Sequence, residues 1–302
     1  MELYLKIIRV YFKIMSKLNP GLAAKQAFTL FQKPRNIPFK NREQKFYNTS
    51  GTFTAPSELG DIICYENGDP AGEVVFLVHG WGSNAGSMAG IGNALSKEGF
   101  YVISFDLPAH GKSKEKYANL LNCRMAMQAV LRRVQTSRPI SIIAHSFGSA
   151  VSAFALCETN YVVKNLMYLT CPNRLKTIFR DYKKMIGLGD KSYQLVIRHA
   201  EKLLAETIED ITVAEKTGLI NYEKLTLIHD EHDKILPFSN SVAIDQLLPD
   251  TELVAFEYVG HYRMLWNQEV IDRVIFEMKE SRQSDLSLFK EKLKEPLLLI
   301  TD

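Results

Sequence analysis

The stretch Ile140-Ser141-Ile142-Ile143-Ala144-His145-Ser146-Phe147-Gly148-Ser149-Ala150-Val151-Ser152-Ala153-Phe154-Ala155 decides the fold. An apolar, strand-like run passes into a helix-forming segment through a single serine. In a small-x-Ser-x-Gly turn between strand and helix, the sharp bend lifts the serine oxygen above the sheet, and small flanking residues let the two elements approach closely. Alanine stands at 144, where glycine is usual in this motif. Such a pentapeptide also arises by chance, so its meaning depends on whether a base, an orienting acid and oxyanion donors stand elsewhere in the chain.

On either side, short apolar runs alternate with helical patterns. The runs Thr52 to Thr54, Ile62 to Tyr65, Val74 to Val78, Tyr101 to Phe105, Ile140 to Ala144, Leu166 to Thr170, Leu225 to Ile228 and Leu253 to Tyr258 read as strands. Most are apolar on both faces, as in a sheet buried between helices. Helical periodicity falls at 85–97, 117–135, 146–158, 239–248 and 268–280. Alternation of this kind predicts an α/β fold with a mostly parallel sheet covered on both faces, and the first two strands, with no helix between them, predict an antiparallel edge.

The chain has 302 residues, 46% apolar and 24% charged, which suits one large domain or a core with an inserted subdomain. Its net charge of +3, with basic and acidic residues interspersed, implies no nucleic-acid partner. The cysteines Cys64, Cys123, Cys157 and Cys171 lie far apart, so neither a metal site nor a disulfide framework is legible and reduced thiols are expected. No membrane-spanning run and no signal-peptide pattern is visible, and the expected location is cytoplasmic.

Two segments stand apart. Between Cys171 and Tyr222 about fifty residues carry helical patterns, at Leu175 to Ile186 and Tyr193 to Ile208, and no strand, too much for an ordinary loop. An insertion at the C-terminal edge of a parallel sheet lies above the ligand site of such folds, so a helical cap is expected. Residues 2–18 form an amphipathic basic helix with Lys6, Arg9, Lys13 and Lys17 at helical spacing. It either packs on the core or roofs its cleft, or it makes peripheral contact with a membrane. The expected organisation is a helical extension over 1–44, a core over 45–171 and 223–280, a cap over 172–222 and a tail over 281–302. The apolar run Pro296-Leu297-Leu298-Leu299-Ile300 in that tail packs on the domain or on a partner.

A serine hydroxyl needs a neutral imidazole to take its proton. His261 is the best candidate, because Gly260-His261 follows the last strand, at the end of the sheet where Ser146 emerges. His145 and His110 adjoin turns and read as structural, His199 lies in the cap, and His229 ends a strand near loop backbone. The imidazole in turn needs a carboxylate. In Leu227-Ile228-His229-Asp230-Glu231-His232-Asp233-Lys234-Ile235-Leu236-Pro237, Asp233 is preferred over Asp230, since it sits mid-loop before the Pro237 helix start. Asp230 either bonds the acid loop or tunes His261. Two backbone donors should face the developing oxyanion: Phe147 N–H, and Trp81 N–H from His79-Gly80-Trp81-Gly82 after the strand Val74 to Val78.

From about residue 45 to 280 the chain resembles the α/β-hydrolase superfamily. The motifs that carry the resemblance are His79-Gly80-Trp81-Gly82, then Asp106-Leu107-Pro108-Ala109-His110-Gly111-Lys112-Ser113, then the Ser146 turn, then the Asp233 and His261 loops. The resemblance implies an eight-stranded, mainly parallel sheet, a Ser146–His261–Asp233 mechanism and no cofactor. Ala144 and Ala109 replace glycines common in that family, and retained geometry with a slightly wider strand–helix spacing is expected.

The chemistry that fits is hydrolysis of a carboxylic ester or thioester through an acyl-enzyme. Trp81 and Phe147, with Tyr262 and Met264 after the base, suggest an apolar, confined pocket for a small to medium acyl group. A serine at 146 sets the chain apart from relatives that use an aspartate nucleophile. Carbon–carbon bond hydrolysis, perhydrolysis and acyl transfer stay open on the same residues, whereas a non-catalytic binding role is disfavoured by the presence of all three.

Overall fold

The computed structural model describes residues 2–35, 37–136 and 139–292. The run Pro296 to Ile300 lies outside them. Eight strands form one sheet: β1 (Gly51–Ala55), β2 (Ile62–Gly68), β3 (Val74–Val78), β4 (Tyr101–Phe105), β5 (Ile140–His145), β6 (Val163–Leu169), β7 (Tyr222–Asp230) and β8 (Thr251–Phe256). Their order is β1-β2-β4-β3-β5-β6-β7-β8. β1 and β2 are antiparallel to their neighbours and every later pairing is parallel, as the missing helix between the first two strands implies.

The helices are α1 (Glu2–Leu18), α2 (Pro20–Phe31), α3 (Asn41–Thr49), α4 (Ala89–Lys97), α5 (Leu120–Val134), α6 (Phe147–Leu156), α7 (Leu175–Ile186), α8 (Asp190–Leu204), α9 (Val213–Gly218), α10 (Ser239–Leu247) and α11 (Gln268–Lys292). Side-chain alternation along each central strand feeds two cores. Phe76 and Val78 of β3 join Met127 and Val130 of α5 and Val151 of α6 on one face. Val75 and Leu77 join Ile91 and Leu95 of α4 and Val274 of α11 on the other. All six residues of β5 are buried, as a central strand covered on both sides requires.

A third apolar cluster lies away from the sheet. Phe12 of α1 and Ala23, Ala24 and Ala27 of α2 pack with Phe179 and Tyr182 of α7 and Val196 of α8. The N-terminal helix therefore packs on the helices inserted between β6 and β7, one of the two arrangements expected for it. Two N-terminal helices lie where the sequence reads as a polar stretch or its approach. α2 starts at Asn19-Pro20, with the Asn19 side chain accepting from Leu22 N–H and proline in the first turn. α3 starts with Glu43 accepting from the backbone N–H of Lys40. Among the described residues no helix is long and apolar enough to cross a membrane, and all four cysteines are free thiols.

Candidate active site

Ser146 sits between the end of β5 and the first residue of α6, with φ 54° and ψ −121°. A positive φ at a residue with a Cβ is strained and is held here by its surroundings: Ser146 N–H donates to Leu169 O at 2.9 Å. The close approach that the motif requires falls at Gly148, where a Cβ would stand 2.3 Å from Val78 O. Ala144 is accommodated at full burial, and Ala109 adopts φ 61° in its own turn.

The loops after β7 and β8 bring the other two side chains to Ser146. His261 Nε2 lies 3.0 Å from Ser146 Oγ, and His261 Nδ1 lies 2.7 Å from Asp233 Oδ2. Asp233 Oδ1 accepts from the N–H groups of Ile235 (2.7 Å) and Leu236 (3.0 Å). Burial pushes this carboxyl up, but the hydrogen bond and charge of His261 and the two loop amides outweigh burial and hold it below its ordinary value. An ionised carboxylate only accepts, so Nδ1 carries the imidazole proton and Nε2 presents its lone pair to the serine hydroxyl.

Asp230 does not touch Ser146 or His261 side chains. It is buried, and its carboxylate accepts backbone N–H groups from both loops: His232 at 2.9 Å, Tyr258 at 3.0 Å, and Gly260. It thus ties the loop of Asp233 to the loop of His261. His145 works from the other side, its Nε2–H donating to the backbone oxygen of His261 at 2.8 Å. Burial, followed by the neighbouring His261, pushes His145 down to about 3, so it stays neutral beside His261. His229 meets Leu236 O at 3.0 Å and Ser241 Oγ at 2.7 Å, buttressing the acid loop.

Trp81 and Phe147 lie side by side above Ser146, their rings edge to face at 5.3 Å. Phe147 opens helix α6, so its N–H has no acceptor within the helix, and among the described residues neither its N–H nor that of Trp81 meets a protein acceptor. Gly80 lets the Trp81 loop close on the serine, since a Cβ there would stand 3.0 Å from Ser146 Cβ. Behind the loop, Asp106 accepts from Ala85 N–H, Lys112 N–H and the hydroxyls of Tyr47 and Tyr65. Among the described residues no group of three or more His, Cys, Asp or Glu is arranged to hold a metal.

Ser146 and His261 open onto a cavity of about 1070 Å³. This is wider than the confined pocket expected from the sequence. The difference comes from walls that no local motif announces: Phe28 and Phe31 of α2, Phe179 and Tyr182 of α7, and Leu5 and Ile8 of α1. Phe31 stacks on Phe179 at 4.9 Å and faces Trp81 at 6.3 Å. Tyr262 lines the cavity, but Met264 does not: it is fully buried beneath, in the core with α4 and α11, near Thr170 Oγ1. A one-turn 3₁₀ helix at Arg263–Trp266 turns Met264 inward, and the sequence carries no signal for that rotation.

Residues 73–181 match the family model described as the alpha/beta hydrolase fold. Over 246 residues, 68% of this chain and 77% of the relative, the chain is 24% identical to Lipase 1 of Psychrobacter immobilis. It is 28% identical over 116 residues to the human serine hydrolase-like protein, of whose length the match spans 57%. Among solved structures, an esterase of Pyrococcus furiosus superposes with a TM-score of 0.63 at 21% identity, covering 83% of this chain and 97% of that one. The sheet order, the serine turn and these likenesses agree on one architecture: the chain has the α/β-hydrolase fold.

Proposed function

We propose that this α/β-fold protein hydrolyses a carboxylic ester or thioester with an apolar acyl group through an acyl-enzyme on Ser146. The observation that carries the reading is the continuous path from Asp233 through His261 to Ser146, opening into a largely apolar cavity of about 1070 Å³. His261 Nε2 takes the hydroxyl proton as Ser146 Oγ bonds to the acyl carbon, and the amides of Trp81 and Phe147 hold the resulting oxyanion. Collapse breaks the bond to the leaving alcohol or thiol, which receives the proton from His261. Water, deprotonated by the same imidazole, then releases the acid. Asp233 stabilises the imidazolium through both half-reactions.

The cavity walls favour an extended acyl chain over a small one. Leu5, Ile8, Phe28, Phe31 and Tyr182 offer apolar contact well beyond the reacting carbon, and volumes of this order take ligands of drug size or larger. A lipase, an esterase and a serine hydrolase-like protein are the named relatives, which supports the same reaction class. The test is hydrolysis of p-nitrophenyl esters from acetate to palmitate by the wild type and Ser146→Ala. Turnover rising from acetate to a medium or long chain, and lost in the variant, is the expected result. Equal turnover by both proteins would overturn the reading.

A further inference from the structure

Helix α1 buries one apolar face and leaves another exposed. Ile8, Phe12 and Met15 pack into the cluster with α2, α7 and α8. On the outer side Leu3, Ile7, Val10, Ile14 and Leu18 recur every three or four residues, which places them in one stripe, and each is between 52% and 75% exposed. At 100° per residue, Lys6, Lys13 and Lys17 fall in a row along one border of that stripe. Among the described residues none of these lysines meets a carboxylate. A helix that faces only water places polar groups on its outer side. This one presents an aliphatic ridge edged with cations.

The same helix borders the cavity. Tyr4, more than half exposed, lines the cavity together with Ser146, as do the exposed Ile235 and Tyr262 from the loops that follow β7 and β8. We propose that α1 seats on an anionic lipid bilayer, its outer stripe among the acyl chains and its lysine row on the headgroups, and that acyl esters of membrane lipids enter the cavity from that surface. Charge complementarity selects the lipid surface over a second copy of the chain: two antiparallel α1 helices meeting at the stripe would bring their lysine rows together, and a parallel pair would set each row against Tyr4 and Tyr11 of the other helix with no carboxylate to meet, whereas an anionic headgroup layer neutralises the lysines. The substrate part rests on the ester-hydrolase reading; the docking part does not.

Full-length protein would be floated with phosphatidylcholine vesicles, with and without phosphatidylglycerol. The comparison includes Ile7→Ser/Val10→Ser/Ile14→Ser and Lys6→Glu/Lys13→Glu/Lys17→Glu, none of which touches the cavity. The wild type should float with the anionic vesicles, and each triple variant should bind them about tenfold less or weaker. Both variants should hydrolyse soluble p-nitrophenyl butyrate as the wild type does, unfold at the wild-type temperature, and lose hydrolysis of a vesicle-borne fluorogenic acyl ester. Wild-type protein that stays unbound at low salt, or serine variants that bind as well as wild type, would overturn the docking. A wild-type dimer that the serine substitutions convert to monomer, with vesicle binding unchanged, would assign the stripe to self-association instead. Vesicle binding without cleavage of any ester would leave the docking standing and remove the substrate part together with the proposed activity.

Discussion

The C-terminal edge of the sheet and the helical roof above it are built in different ways. At the edge, each side chain of the site is set by backbone: Ser146 by a strained turn between β5 and α6, Asp233 by the amides of Ile235 and Leu236, and His261 by its loop, whose N–H groups donate to Asp230 and whose carbonyl accepts from His145. In the roof, α1, α2, α7 and α8 are held by interdigitated apolar side chains from segments far apart in the chain. Hydrogen bonds to the backbone fix positions to fractions of an ångström, whereas apolar packing tolerates volume-conserving change. For the proposed reaction, the edge would position the reacting groups and the roof would select what reaches them.

If that division holds, substitutions at the edge cost rate with every substrate, and those in the roof cost rate only with some. The largest effect is expected for Asp233→Asn. The asparagine oxygen can keep the bonds from Ile235 and Leu236, but its amide turns two donor hydrogens toward His261 Nδ1 and forces the wrong tautomer. Activity should fall by about 10⁴ in kcat for all esters, with an unfolding temperature close to wild type.

Asp230→Ala should come next. It leaves three part-buried N–H groups without their acceptor and frees the two loops to separate, so a loss of about 10²-fold in kcat and about 3 kcal/mol in urea unfolding is expected. Asp230→Asn retains one acceptor oxygen and should keep Ser146 reactive toward fluorophosphonate. An unchanged kcat in Asp230→Ala would mean that the loops hold their register without it.

In the roof, Phe31→Ala removes the ring that stacks on Phe179 and faces Trp81. It should lower kcat/KM for long-chain esters by about tenfold and leave acetate hydrolysis unchanged. A uniform loss across chain lengths would erase the distinction between the two regions.

A further effect, on stability alone, is one of pH. Burial lowers His79 to about 4 and His110 and His145 to about 3, against an ordinary 6.5. Between those values the unfolded chain binds protons that the folded chain does not, so stability is full above about 6.5 and declines as pH falls toward 3. Thermal unfolding at stepwise lower pH should show the decline, and His145→Gln should flatten it. Stability that rises on acidification would contradict burial as the cause.

The two regions also differ in how far the sequence discloses them. The edge is legible because its parts are local: a small-x-Ser-x-Gly turn, His-Gly-Trp-Gly after β3, an acid before Pro237, and Gly260-His261 after β8. The mostly parallel sheet and its antiparallel edge follow from the alternation of elements, whereas the order that sets β4 between β2 and β3 does not. For Asp230 the sequence offers a bond within the acid loop, which His232 N–H makes, but not the tie to the His261 loop, and His145 reads only as structural, because those two ties bond backbone groups of a loop distant in sequence. The roof is scarcely legible. Asn19-Pro20 announces α2, and Thr212 with Glu215 announces the short α9, but no periodicity states that Phe31 will meet Trp81 or that Met264 will turn inward. Those contacts depend on how separate helices dock.

The central claim, that Ser146 is the nucleophile activated by His261, is tested most directly by fluorophosphonate labelling with peptide mapping of the adduct in wild type, Ser146→Ala and His261→Ala. A single adduct on Ser146 in the wild type, absent in Ser146→Ala and strongly slowed in His261→Ala, is the predicted result. An adduct on another residue, or labelling of Ser146→Ala at the wild-type rate, would contradict it.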